Sequence, residues 1–159
     1  MQGTENQKVV CVDLDGTLSN DEHRHRLAPA KGSPLDLWQE YHLACADDTP
    51  IDGTIATLKL LPDSVQVHII SGRWEQMRKE TEVWLAAHGI SYDALRMYGL
   101  SDRPMKNYNY KVQYVEELRD KGFDPILFLE NEPIVADYIE EHGALPVLCV
   151  NPRYVSAVA

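Results

Sequence analysis

Four short, near-continuous apolar runs, at residues 9–14, 65–70, 126–129 and 147–150, constrain what this chain can fold into more than any other feature. A strand with one face in water alternates apolar and polar residues, whereas an unbroken apolar run of this length reads as a strand buried on both faces. A weaker fifth candidate covers residues 95–98. Helical spacing fills the intervals. Residues 75–88 set Met77, Thr81, Trp84 and Ala87 on one face before Gly89, residues 111–121 set Val112, Val115 and Leu118 before Gly122, and residues 134–142 repeat the scheme before Gly143. Alternation of buried strand and helix predicts a three-layer, Rossmann-like α/β fold: a parallel sheet with helices on both faces and right-handed crossovers.

In such sheets ligands gather at the carboxyl ends of the strands. The residues leaving three of the runs are chemically able: Asp13-Leu14-Asp15-Gly16-Thr17, Ser71-Gly72-Arg73 and Glu130-Asn131-Glu132-Pro133. Two carboxylates two residues apart at a strand exit repel each other unless a cation neutralises them. Mg2+ suits that role, since it takes oxygen ligands and bridges to phosphate. At the second strand, the Ser71 hydroxyl, the backbone bared by Gly72 and a following helix start all favour an anion. Lys111 is expected to open a helix, with Lys106 a chemically equivalent alternative.

At 159 residues and 44% hydrophobic, the chain is expected to form one domain over 1–159. Residues 19–62 are the least regular, with helices expected at 35–46 and 55–61, which leaves room for a small helical insert and not for a large cap. No run approaches the ~20 apolar residues of a membrane span, and residues 1–7 are polar, so a cytoplasmic protein without membrane contact is expected. Cys11, Cys45 and Cys149 are widely spaced and read as buried structural thiols. A net charge of -10 argues against an extended nucleic-acid-binding surface, which requires many Lys and Arg contacts. From His68 to Lys111, the region of the expected anion site, basic residues outnumber acidic ones, whereas from Val112 to Ala159 acidic residues dominate.

Residues 9–18, Val-Val-Cys-Val-Asp-Leu-Asp-Gly-Thr-Leu, resemble the first motif of the haloacid dehalogenase superfamily. The resemblance implies that Asp13 is a nucleophile forming an aspartyl-phosphate, and that Asp15 protonates the leaving oxygen and later activates water. It makes Ser71 the second-motif hydroxyl, Lys111 the third-motif lysine, and Asp13, Asp15, Glu130 and Asn131 the holders of Mg2+, although Asn131 departs from the usual pair of acids. Beyond these motifs the chain is similar to the phosphatase domain of polynucleotide kinase-phosphatases. That likeness rests on His23-Arg24 with Leu27, on Ser71-Gly72-Arg73 leading to Arg78 and to the Thr81, Trp84 and Leu85 helix, and on Tyr92-Asp93-Ala94-Leu95, Asp102-Arg103 and Lys111. It implies that Arg73 and Arg103 contact phosphate or nucleotide, with Thr17, Gly72 and Arg24 beside the substrate. No Gly-x-x-x-x-Gly-Lys-Ser/Thr phosphate loop occurs, so kinase activity is not expected. Trp74, next to Arg73, could stack on a base, whereas Trp38 and Trp84 read as core. The implied activity is phosphomonoester hydrolysis on a nucleotide or a nucleic-acid 3'-phosphate end. General nucleotidase activity and a phosphate- or partner-binding module weakened at Asn131 are the alternatives.

Overall fold

Strand β1 (Gln7–Val12) opens on the exposed Gln7 and Lys8 and is apolar and buried from Val9 to Val12. Val10 and Val12 face one layer with Ile55, Leu58, Trp84 and Leu85, while Val9 and Cys11 face the other with Val112, Val115, Val135 and Ile139. Both faces are covered, so neither set of alternate positions tolerates a polar residue. A computed structural model describes residues 6–30, 32–102 and 105–151.

The remaining elements follow as β2 (Ser19–Asn20), α1 (Gln39–Leu43), β3 (Thr49–Pro50), α2 (Asp52–Leu58), β4 (Gln66–Trp74), α3 (Arg78–Ala87), β5 (Ala94–Tyr98), α4 (Asn107–Asp120), β6 (Phe123–Glu130), α5 (Pro133–Gly143) and β7 (Val147–Cys149). The main sheet has the order β5-β4-β1-β6-β7, and all its pairings are parallel. After β5 the chain crosses to the other side of β1, so the sheet reverses direction around that strand. Such a reversal opens a crevice at the carboxyl ends. β2 and β3 form a small antiparallel pair, and between them lie α1 and three 3-10 turns, at Glu22–Leu27, Leu35–Trp38 and Ala44–Asp47.

Several expected boundaries shift for local reasons. The helix expected at 35–46 is broken into 3-10, α and 3-10 pieces, because Leu35, Leu37 and Leu43 are exposed and no continuous apolar face spans the segment. The 75–88 helix begins with a 3-10 turn and becomes α-helical at Arg78. β4 runs on through Ser71, Gly72 and Arg73 to Trp74, with a register shift against β5. Gly143 stays helical, and Ala144 takes the left-handed position at φ 46° that the sequence reading assigns to the glycine. The Arg119 guanidinium donates to the Gly143 carbonyl at 2.7 Å and the Ala144 carbonyl at 3.1 Å, satisfying the helix end. Cys11 and Cys45 are buried as expected, but Cys149 is exposed on the edge strand β7. No helix among the described residues is long and apolar enough to cross a membrane.

Candidate active site

The turn after β1 is wound tightly about the Leu14 carbonyl, which accepts from the backbone amides of Thr17, Leu18 and Ser19 at 3.2, 2.8 and 3.0 Å. Gly16 makes this possible: its φ of 81° lies in the left-handed region that side chains avoid. The turn holds Asp13 and Asp15 together at the carboxyl end of the central strand. The Asp13 amide still donates to the Leu129 carbonyl at 2.9 Å, so the carboxylate is fixed by the sheet itself.

Lys111 reaches this carboxylate from α4. Its Nζ lies 2.8 Å from Asp13 Oδ1 and 2.6 Å from Glu130 Oε2, all three groups being buried. The sequence reading starts the helix at Lys111; the structure starts it at Asn107, one turn earlier, and α4 lies across β4 and β6, which aims Lys111 inward. Glu130 Oε1 accepts from the amides of Asn131 and Glu132 at 2.9 and 3.0 Å, which fixes the turn leading into α5. Thr17 Oγ1 is 3.0 Å from Asp13 Oδ2 and 3.2 Å from Asn131 Oδ1, and its one proton can serve only one of them at a time.

Two carboxylates and one ammonium leave this cluster with an excess negative charge. Burial and the Glu130 charge push the Asp13 carboxyl up to about 8, despite Lys111. Burial works against the Lys111 charge, but Asp13 and Glu130 outweigh it and hold the ammonium firmly protonated. A divalent cation beside Asp13 would remove the imbalance, so the donor chemistry fits Mg2+, with Asp13, the Asp15 main-chain carbonyl and the Asn131 amide oxygen as its holders. Glu130, the remaining expected holder, already accepts from the Lys111 ammonium and from two backbone amides.

Asp15 is neutralised differently. Its Oδ1 accepts from Arg24 Nη2 at 2.6 Å and, more closely still, from Arg73 Nη2. Both guanidinium groups are also tied to Asp48, at 2.8 and 2.9 Å for Arg24 and 3.0 Å for Arg73. Arg73 further donates to Thr81 Oγ1 at 3.1 Å, and Arg24 lies over the Tyr41 ring at 4.4 Å. Burial opposes ionisation of Asp15, yet Arg73 and Arg24 override it and hold the carboxyl well below the usual range. Arg24 is therefore a buried partner of Asp15 rather than a group on the cavity wall, and Ser71 is likewise buried, its hydroxyl accepting from the Arg73 amide at 3.0 Å. Arg103 lies outside the described residues.

A cavity of about 530 Å³ opens over Asp13, Asp15 and Lys111. Trp74 stacks on His42 at 4.2 Å along one wall, joined by Trp38, which the sequence reading assigns to the core; Tyr98 and Tyr108 line another. Trp84 is buried in the core, its Nε1 donating to the Asp48 carbonyl at 2.6 Å. Asp48, His42 and Asn107 are site residues that sequence reasoning misses. Only a search for the acids that two arginines beside the first motif must have could have found Asp48.

Gly72 shows how closely the far wall approaches. A Cβ there would meet Asn107 Oδ1 at 2.8 Å, and that buried oxygen has no hydrogen-bond partner among the described residues. Gly72→Ala is expected to displace the carboxamide and cost roughly 1 kcal/mol. In the Gly72→Ala, Asn107→Ala double variant that cost should largely vanish, a coupling that chemical denaturation of the four proteins measures directly. Simple addition of the two single effects would show that the two residues do not meet.

No protein-family model and no curated protein sequence matches the chain, so the comparison rests on solved structures. A chain in the structure of the Pnkp1/Rnl/Hen1 RNA repair complex is 26% identical with a TM-score of 0.72, over 94% of this chain and 44% of that one. The haloacid dehalogenase-type hydrolase YfnB of Bacillus subtilis, solved bound to magnesium, has a TM-score of 0.64 at 11% identity, over 93% of this chain and 90% of that one. The chain has the fold of haloacid dehalogenase-type hydrolases. A class C acid phosphatase of Bacillus anthracis, solved with tungstate bound, shares this fold at TM-score 0.64 and 20% identity, over 96% of this chain and 70% of that one. The present chain spans less than half the length of the repair-complex chain it matches.

Proposed function

We propose that this protein is a Mg2+-dependent phosphomonoester hydrolase acting through an aspartyl-phosphate on a nucleotide or a nucleic-acid 3'-phosphate end. The observation that carries the proposal is the buried Asp13–Lys111–Glu130 arrangement at the floor of an open cavity. An Asp13 oxygen attacks phosphorus, the bond from phosphorus to the ester oxygen breaks, and water later cleaves the phosphorus–Asp13 bond to release phosphate. Lys111 offsets negative charge on Asp13 throughout. Bound Mg2+ would supply charge neutralisation on the phosphoryl oxygens.

Asp15 requires a proton before it can donate one, and Arg73 and Arg24 hold it ionised. An arriving phosphate competes for the Arg73 guanidinium at the cavity wall, and transfer of that contact frees Asp15 to take up and pass a proton. This reading keeps Arg73 as a phosphate ligand during the reaction and as a lock on Asp15 before it. A nucleotide or nucleic-acid substrate is supported by the likeness to a chain of an RNA repair complex and by the aromatic walls.

The test is phosphate release from an aryl phosphate, from 3'- and 5'-mononucleotides, and from oligonucleotides phosphorylated at either end, with Mg2+ and with chelator. Turnover that requires Mg2+ and is fastest on 3'-phosphates is expected. Release from none of these substrates would sink the hydrolase reading and favour a binding module. Equal rates on 3'- and 5'-mononucleotides, together with no advantage for oligonucleotides, would make the protein a general nucleotidase.

A further inference from the structure

Leu35 and Trp38 are the two ends of one 3-10 turn of the insert, and both line the cavity over Asp13. Side chains three apart in a 3-10 turn stand one above the other, so the pair forms an apolar strip on the insert side of that cavity. Leu35 is 49% exposed, and neither residue belongs to a core cluster.

The other aromatic rings on the cavity wall are committed to neighbours. Trp74 has His42 stacked on it at 4.2 Å and 27°. Tyr98 donates to the Met105 carbonyl at 2.6 Å and meets Tyr110 edge-on at 5.3 Å, and Tyr108 is flanked by Tyr138 at 4.4 Å and Lys106 at 5.5 Å. Trp38 differs. Its ring meets Tyr41 edge-on at 5.7 Å and 89°, and His42 tilted at 6.4 Å and 45°, so no ring lies parallel on the indole among the described residues. Its N–H has no hydrogen-bond partner among them either, whereas the buried Trp84 N–H donates to the Asp48 carbonyl. A half-buried indole with no stacked ring and an unbonded N–H, on the wall of a cavity, is a surface suited to a flat ligand with polar edges.

We propose that Trp38 and Leu35 hold the aromatic base of the leaving group while its phosphate stands at Asp13, which makes the insert the element that selects the substrate. The inference rests on the hydrolase reading above and names the part of the site that recognises a nucleoside. A cavity of about 530 Å³ is within the size range of pockets that enclose one small molecule, so one nucleotide can occupy floor and strip together. Packing a base on an apolar strip also suits a chain whose net charge is -10, because it draws on no broad basic surface.

The experiment measures kcat/KM for a mononucleotide, in whichever of its 3' and 5' isomers is turned over faster, and for the stable abasic analogue that lacks only the base. The unaltered protein is compared with Trp38→Leu, Trp38→Phe and Leu35→Ser. The unaltered protein is expected to prefer the nucleotide roughly tenfold, chiefly through KM, the scale of one base–aromatic stack. Trp38→Leu should cut that preference to about twofold, while Trp38→Phe keeps most of it. Leu35→Ser, at an exposed position outside the core, should weaken the preference in the same direction and serves as the test should Trp38→Leu fail to fold. Equal kcat/KM for the two substrates in the unaltered protein, or a preference that these substitutions leave intact, would overturn the inference alone. Absence of turnover with an aryl phosphate and with both nucleotide isomers would overturn the hydrolase reading and this inference with it.

Discussion

Asp13→Asn is expected to abolish phosphate release, with a loss on the order of 10⁴-fold or more, and at the same time to make the metal-free protein more stable near pH 8. Loss of turnover follows from removing the attacking oxygen, since removal of a catalytic nucleophile costs that much in enzymes whose groups act as a unit. The gain in stability follows from linkage. The Asp13 carboxyl has an ordinary value of 3.8 and is pushed up to about 8 in the fold, by burial first and by Glu130 second. A raised acid contributes stability that is full below its unfolded value and is lost as pH rises through the folded one. At pH 8 the unaltered protein therefore carries a penalty that the asparagine variant lacks, whereas at pH 4 the two should melt together. A Tm difference of roughly 3–6 °C at pH 8 corresponds to one or two kcal/mol in a domain of this size. Equal Tm values across the range would show that Lys111 alone balances the cluster; undiminished turnover would remove Asp13 from the chemistry.

Lys111→Met should be the most damaging single change to stability. It leaves the buried Asp13 and Glu130 carboxyl groups with no ammonium between them, the situation in which breaking a buried ion pair costs about 3–5 kcal/mol. A fall in Tm of roughly 10 °C is expected, together with loss of turnover. Adding Glu130→Gln removes the carboxylate left without its ammonium, so the double variant should recover a good part of the loss despite carrying more substitutions. Thermal unfolding of the single and double variants at pH 7 measures the coupling. A double variant less stable than Lys111→Met would mean that Glu130 contributes chiefly through the amides of Asn131 and Glu132.

The arginine network ties the insert to the catalytic turn. Asp48 stands just before β3 and holds Arg24 from the insert and Arg73 from β4, and both hold Asp15. Residues spread over 58 positions of sequence thus meet in one buried charge cluster, and the exposed Leu35, Leu37 and Leu43 belong to the same insert. Charges that are paired and hydrogen-bonded can be buried, while any one of them left alone would be costly.

The parallel sheet was legible in the sequence because burial on both faces imposes unbroken apolar runs, and Val9, Val10, Cys11 and Val12 record that constraint residue by residue. The strand exits announced Asp13, Asp15 and Glu130 for the same reason, since polar groups that end an apolar run stand where the sheet meets solvent. Lys111 was legible as a charge near a helix start, but its contact with Asp13 depends on where α4 crosses the sheet. Asp48, His42 and Asn107 left no comparable mark, being polar residues after a short turn, within the short α1 and at a helix start. Local sequence determined which segments are strands and which residues stand at their ends, because periodicity and burial act over a few residues. The tertiary structure alone decided that Arg24 and Arg73 face Asp15 and Asp48 rather than open solvent, because the pairing of buried charges is settled by which distant segments the packed layers bring together.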